Sequence, residues 1–322
     1  MATSGSYDFV VTRDDILKDA LGKVAVIDYT EANNIPDSEI QLAARTLNIL
    51  TKSLVNRGLN IWRREEATLF MVADQQRYAL GPTGDHCTGE INAVRASTTG
   101  ITTMRVAGVT SDTTLEVTST TGMTASDYIG VILDDGTLDW STISSVTDSD
   151  TVVIAAGLNS AAAIGNKVYH YTSKIQRPLR MLSVMRRDAN GNDTPLYPLS
   201  EDEYQELSLK TSSGKVNQYY YDPRRDTLGY LHLWVTADSA EDTVYFSYHR
   251  PVEDFDAAND NPDFPSEWYR YLVYALAYDI APHYGIPPQE RAMLKMDRDE
   301  ALADAEAWDV EDASVYIKVR MQ

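Results

Sequence analysis

Apolar residues near the N-terminal end of the sequence recur with the period of a helix. Thr12 is placed to cap a first helix that carries Asp14 and Asp15 in its first turn and ends near Gly22. A second helix is predicted over residues 38–57. Its apolar positions are spaced by three and four residues and define one buried face: Ile40, Ala43, Ala44, Leu47, Leu50 and Leu54. We therefore expect two helices that share a core in this part of the chain.

From Trp62 onward the spacing changes to that of β-strands. Two short strands are predicted at residues 68–72 and 76–80, followed by a break at Gly81-Pro82. Residues 91–172 are then rich in Thr, Ser, Val, Ile and Gly and contain about six short strand patterns. This spacing predicts a small all-β barrel or sandwich inserted into a parent domain.

The clearest strand pair of the insert is a hairpin. Residues 128–133 form an apolar run that meets Asp135-Gly136, a strong signal for a tight turn, and the chain returns through Leu138 and Trp140. Further strands are predicted at three places: residues 115–117, 152–154 and 168–171.

The parent domain resumes after residue 172. Ser200 and Glu203 have the spacing of a capping box for a short helix at residues 201–209. Three consecutive strand patterns follow, which predict an antiparallel meander: residues 218–221, 228–236 and 243–248.

The C-terminal quarter returns to helical spacing. A helix predicted at residues 267–281 is apolar nearly all round, which favours burial, and a second is predicted at residues 289–308. One side of the first helix carries Tyr271, Tyr274 and Tyr278, which we expect at a subunit interface because tyrosine suits partly hydrated contacts. The last residues alternate with a period of two, typical of an extended arm: Val315, Tyr316, Ile317, Lys318, Val319 and Arg320.

Together these patterns predict an α+β fold. Residues 1–90 and 173–312 form a helical core with a small antiparallel β-meander, residues 91–172 form the inserted β-barrel or sandwich, and residues 313–322 form the C-terminal arm. A length of 322 residues is enough for about two domains.

Charge restricts the possible partners. The chain has 28 Lys and Arg against 48 Asp and Glu, a net charge of −20. Residues 106–166 hold eight acidic and no basic side chains, and residues 297–312 hold eight acidic side chains and one arginine. Since phosphate backbones bind clustered Lys and Arg, neither segment is expected to grip DNA. The sequence shows no apolar run of the ~20 residues that span a bilayer, and we expect neither a membrane anchor nor a signal peptide.

Four arginines are candidates for light contact with DNA: Arg177, Arg180, Arg186 and Arg187. The alternative is that short basic groups in an acidic chain form ion pairs with acidic neighbours. The sequence alone leaves both open.

Motifs for catalysis or for metal and cofactor binding are weak. Residues 188–193 begin like a calcium loop, but Asp193 and Leu199 replace the required Gly and Glu, which favours a plain turn. His86 and Cys87 are neighbours in sequence, which does not by itself make a nucleophile and base. We therefore predict a non-enzymatic protein with no catalytic residue, metal or cofactor.

Three stretches carry a resemblance to a known family. They are residues 38–45 leading to 58–62, residues 76–82, and residues 246–252 with 263–268 and the helical pair that follows. In order and spacing they resemble the head-to-tail adaptors of short-tailed bacteriophages, also called packaged-DNA stabilisation or tail accessory proteins, and the related tail tubular protein A family. The resemblance covers roughly three quarters of the chain.

The resemblance implies a structural virion protein, made in the host cytoplasm and placed in the phage neck. It implies a homo-oligomeric ring, dodecameric in related phages, that binds beneath the portal protein, extends the channel for packaged DNA, retains that DNA and docks tail nozzle, fibre or spike proteins. In the family the C-terminal region engages the portal, a role that falls here on the arm.

Two alternatives belong to other classes. One is a virion-associated peptidoglycan hydrolase that uses a carboxylate pair, since Asp and Glu are abundant. The other is a module that binds a glycan or a tail fibre through the inserted β domain.

Overall fold

The computed structural model describes residues 9–24, 35–54, 61–91, 100–224 and 226–309. These residues contain five α-helices: α1 (Arg13–Lys23), α2 (Asp37–Leu54), α3 (Glu201–Glu206), α4 (Tyr269–Ile280) and α5 (Pro288–Trp308). The chain divides into two compact units, a helical unit of residues 1–63 and 252–322 and a β unit of residues 64–251. The fold is thus mixed α+β.

The strands fall in three successive groups. The first is β1 (Arg64–Phe70), β2 (Arg77–Leu80) and β3 (Cys87–Thr88). The insert supplies β4 (Ile101–Thr103), β5 (Thr114–Glu116), β6 (Tyr128–Ile132), β7 (Leu138–Val146), β8 (Thr151–Ile154) and β9 (Lys167–Tyr171). The rest are β10 (Arg180–Arg187), β11 (Asp193–Pro195), β12 (Tyr197–Pro198), β13 (Ser213–Gly214), β14 (Gln218–Asp222), β15 (Gly229–Trp234), β16 (Thr236–Ala237) and β17 (Thr243–His249).

In the helical unit, α4 is the central element. It packs against α1, α2 and α5, and its buried side chains occupy nearly every side of the helix, including Tyr271, Leu272, Leu276 and Ile280. The sequence predicted this helix and its burial, because no polar face interrupts it. The Thr12 cap of α1 is also confirmed: the Thr12 hydroxyl accepts from the Asp15 amide, and the Asp15 carboxylate accepts from the Thr12 amide.

In the β unit, two sheets share one core. One sheet has the order β11-β10-β17-β1-β3 and the other β12-β14-β15-β2. Apolar side chains from both sheets meet in a single buried cluster that includes Leu69, Leu80, Leu231 and Phe246. The two sheets therefore form a sandwich.

The predicted meander is correct for its first two strands and wrong for the third. β14 and β15 pair as an antiparallel hairpin, but β17 lies in the other sheet, antiparallel to both β1 and β10. Six of the seven β17 residues are buried, from Thr243 to Tyr248. A strand buried on both faces is stable in the middle of a sheet between two others, and β17 takes that place.

The insert forms a six-stranded antiparallel sheet of order β4-β9-β6-β7-β8-β5. Met104 and Val117, the residues just after β4 and β5 at the two ends of this order, form an antiparallel bridge, so the sheet curls into a partly closed barrel. The predicted hairpin is present: the Gly136 amide donates to the Leu133 carbonyl at 3.0 Å, and Gly136 has φ of 82°.

A narrow neck joins the insert to the sandwich. The Glu90 carboxylate accepts from the amides of Thr172 and Ser173 at 2.8 and 2.7 Å, and the Thr88 hydroxyl donates to the Ser173 carbonyl at 2.9 Å. The chain segments that enter and leave the insert are therefore tied to each other. The predicted C-terminal arm lies outside the described residues, as does the part of the second helix predicted beyond Leu54.

Candidate functional site

The residues between the insert and the sandwich form an aromatic cluster, which we call the aromatic seam. Its members are Phe70, His86, Tyr128, Trp140, Tyr169 and Tyr171. The His86 ring stacks on the Trp140 indole with centroids 3.9 Å apart and planes 1° apart. Its Nδ1 lies 2.5 Å from the Tyr171 hydroxyl oxygen. Phe70 of β1 contacts Trp140 and Tyr169 of the insert.

The seam decides the chemistry of His86 and Cys87. Burial lowers the pKa of the His86 imidazole to about 3, so the ring is neutral at physiological pH. Cys87 is fully buried and its thiol pKa is raised by burial. A protonated thiol without solvent access is a poor nucleophile. His86 stacks in the seam rather than serving as a base for its neighbour.

Asp188 begins a closed turn. Its carboxylate accepts from the amides of Asn190 and Asn192 at 2.9 and 2.8 Å and from the Asn192 side chain at 3.0 Å. These bonds close the turn between Asp188 and Asn192. Among the residues that the structure describes, no three His, Cys, Asp or Glu side chains converge as metal ligands would.

Two acidic side chains, Glu65 and Glu203, take part in structural contacts. Glu65 forms an ion pair with Arg250 at 2.9 Å and accepts from the Tyr248 hydroxyl at 3.0 Å. Glu203 closes the capping box of α3 through the Ser200 amide.

The four candidate arginines lie on β10 and just before it. Arg187 makes two bonds to the Asp193 carboxylate, at 2.7 and 2.6 Å, and Arg186 lies 3.7 Å from Asp242. Arg177 donates to the Arg224 carbonyl at 2.6 Å. Arg180 is exposed. Two of the four are thus paired with acidic neighbours inside the chain.

The three tyrosines of α4 differ in accessibility. Tyr271 is only 4% exposed and packs edge-on against Trp268 inside the helical unit. Tyr274 is partly exposed, with the Lys23 ammonium 4.0 Å from its ring centroid. Tyr278 is likewise partly exposed and lies under two guanidinium groups on α5. A neighbouring subunit would reach Tyr274 and Tyr278 but not Tyr271.

The insert carries a groove of about 430 Å³ that sequence reasoning did not find. It is lined by Ile101, Thr102, Thr103, Thr118, Ser119, Thr121 and His170. His170 is only 4% exposed, and burial lowers the pKa of its imidazole. The residues come from β4, from the segment that follows β5, and from β9, so no local pattern reveals the groove.

Residues 150–318 match the model of a family of bacteriophage adaptor proteins, the structural components that belong to the phage virion. The family is the SU10 adaptor protein family, and because the match spans just over half of the chain, the chain belongs to it. No curated protein matches the sequence.

The family assignment confirms the predicted adaptor class and leaves the tail tubular protein A relationship a prediction. The matched residues run from the last strands of the insert through α5. Within the described part of the chain, no helix has both the length and the apolar character needed to span a bilayer.

Proposed function

We propose that this chain is a head-to-tail adaptor that assembles as a ring, docks beneath the portal protein, extends the DNA channel and retains the packaged genome. The family match over residues 150–318 carries this proposal. It is supported by the engagement of the candidate catalytic groups in structural contacts, with His86 in the aromatic seam and Glu65 paired with Arg250.

In this proposal the parts of the chain have separate roles. The arm, residues 315–320, binds the portal, and Tyr274 and Tyr278 lie near the contact between subunits. Arg180 is the exposed candidate for DNA contact near the channel. Tail nozzle, fibre or spike proteins bind the opposite end of the ring.

A mass measurement tests the proposal. The full chain is measured by mass photometry alone and after mixing with its portal protein, and the complexes are imaged by electron microscopy. We expect a ring in the mixture, stacked coaxially on the portal. A chain that remains monomeric in both samples contradicts the proposal.

A second function is favoured by the groove of the insert. The groove combines hydroxyl side chains with the buried His170 imidazole, and hydroxyl and imidazole groups form the hydrogen bonds that a saccharide requires. We propose that the insert binds a glycan or a tail fibre there.

Removing the insert separates the two functions. A chain in which residues 91–172 are replaced by a short Gly-Ser linker is expected to assemble as the wild type does and to lose the bound partner. The His170→Phe variant is expected to keep its fold and weaken binding of the same partner. If the chain without the insert fails to assemble, the insert is part of the ring contact instead.

A further inference from the structure

Two exposed faces of the helical unit have complementary chemistry. On α2, every side chain of one stripe is exposed, and we call this stripe the α2 face: Gln41, Arg45, Ile49 and Lys52. On α5, the corresponding stripe is the α5 face: Met293, Met296, Glu300, Ala303 and Ala307. Both stripes follow the three- and four-residue spacing that places side chains on one side of a helix.

Each face exposes large apolar side chains. Ile49 is 61% exposed, and Met293 and Met296 are 66% and 71% exposed. Methionine adapts its shape to a partner surface and is enriched in the cores of protein interfaces. Each face would bury apolar area if it met a matching surface.

The charges of the two faces are opposite. From Gln41 to Leu54, α2 carries Arg45 and Lys52 and no acidic residue. From Asp297 to Trp308, α5 carries five acidic residues and one arginine. Arg45 is exposed and Lys52 lies 2.7 Å from Asp254, whereas Glu300 lies 3.4 Å from Arg270 and is still 66% exposed. The α2 face therefore attracts the α5 face electrostatically.

The two faces lie on different helices of the helical unit. Both helices pack against α4, and the exposed stripe of each is the side turned away from the helical core. A contact between two different patches of neighbouring subunits is heterologous, and it forms a ring when the rotation that relates the subunits closes.

We infer that the α5 face of one subunit binds the α2 face of the next, with Ile49 packed against Met293 and Met296 and Arg45 beside Glu300. The inference rests on the proposed function, since it supposes a ring. It identifies the partner of both faces as a second copy of this chain.

Crosslinking between introduced cysteines tests the contact. The native Cys87 is fully buried and does not compete for reagent. The full-length double variant Ile49→Cys/Met296→Cys is treated with a short bismaleimide under the conditions in which the wild-type chain assembles. We expect a covalent ladder that extends beyond dimers on a denaturing gel.

The single variants give the sharper result. A mixture of Ile49→Cys and Met296→Cys chains should stop at dimers, because each chain then offers one reactive face. Dimers formed by either single variant alone would show a symmetric contact and overturn the inference. The control Val109→Cys/Met296→Cys, with the first cysteine moved to an exposed position in the insert, should give no ladder.

Charge reversal provides a second measurement. Arg45→Glu and Glu300→Arg are each expected to weaken association roughly tenfold, which corresponds to about 1.4 kcal/mol for one broken charge pair. The double variant is expected to recover most of that loss. Circular dichroism and thermal melting check that the variants fold. No rescue, or no ladder while the wild type forms a ring, overturns the contact and leaves the proposed function standing. A chain that forms no ring with its portal overturns the proposed function itself.

Discussion

At the scale of single residues, His86 is the centre of the seam that fixes the insert. It lies next to β3 in the sandwich, yet its stacking partner Trp140 and its hydrogen-bond partner Tyr171 belong to the insert. Stacking against an indole leaves little space for water, and this burial holds the imidazole neutral. The stability of the packed seam therefore depends on pH through the His86 side chain.

This neutral state predicts acid sensitivity. An imidazole in the unfolded chain has a pKa near 6.5, whereas that of folded His86 is about 3. Between these values the unfolded chain binds more protons, so the free energy of unfolding falls as pH drops from about 6.5 towards 3. Burial also lowers the pKa of His170 and His232, and both add to the same trend.

The His86→Phe variant isolates the contribution of one group. Phenylalanine keeps a ring against Trp140 and removes the titration, so the melting temperature should depend less steeply on pH between about 7 and 4. A variant at the exposed His283 is the matched control and should keep the wild-type slope. An unchanged slope in His86→Phe would show that His86 does not carry this effect.

Gly130 predicts a second effect in the same cluster. It lies directly opposite Trp140 in the β6–β7 pair, and a Cβ on Gly130 would lie 2.8 Å from three atoms of the indole ring. Gly130→Ala must displace Trp140 from His86 and should lower the free energy of unfolding by about 1–3 kcal/mol, as overpacking does. Denaturant unfolding measures the change.

A double-mutant cycle identifies the cause. In a Trp140→Leu background the clash is absent, and Gly130→Ala should then have a much smaller effect. Equal effects in both backgrounds would place the cost in the backbone of β6 instead.

Local sequence cannot show the seam. The neighbouring pair His86-Cys87 invites an interpretation as nucleophile and base, but their environment is decided by Trp140 and Tyr171, which are distant in sequence. Only tertiary packing brings these rings to His86, and no periodic pattern encodes that contact.

At the scale of elements, patterns of spacing and capping are informative. The capping residues Thr12 and Ser200, the hairpin turn at Gly136 and the buried helix α4 follow from rules that act within a few residues. The partner of β17 does not, because adjacency in sequence favours pairing with β15 while burial on both faces favours the centre of the other sheet. Burial on both faces, rather than adjacency in sequence, therefore decides where β17 pairs.

The Thr12 cap makes a prediction for α1. Thr12→Ala removes the hydroxyl that accepts from the Asp15 amide and should lower the free energy of unfolding by about 1 kcal/mol. Thr12→Ser keeps an accepting hydroxyl and is the matched control. Thermal melting of the full chain measures both, and equal stability of the Ala and Ser variants would contradict the role of the cap.

At the scale of the whole molecule, acidic charge is concentrated in the insert. The insert between Val106 and Asn166 holds eight acidic side chains with no basic one, and Arg105, just before it, pairs with Glu116 and Asp150 where the barrel closes. Assignment to a family needed comparison with other sequences, since composition alone indicates only an acidic globular chain.

Removal of the insert predicts a change in the surface of the sandwich. Phe70 is 2% exposed because insert residues cover it. Removal of the insert therefore uncovers an apolar patch. The chain without residues 91–172 should bind an environment-sensitive hydrophobic dye more strongly than the wild type. Adding Phe70→Thr should reduce that signal, and an equal signal in both shortened chains would place the exposed patch elsewhere.

The neck has a consequence for how such a protein diversifies. Glu90 bonds to Thr172 and Ser173 and so holds the chain segments that enter and leave the insert within hydrogen-bond distance of each other. The two ends of the inserted domain therefore lie side by side. Any domain whose two termini lie side by side fits the same attachment point without redesign of the sandwich. Recombination at this junction can therefore exchange one accessory module for another in a single step, while the scaffold that carries it stays constant.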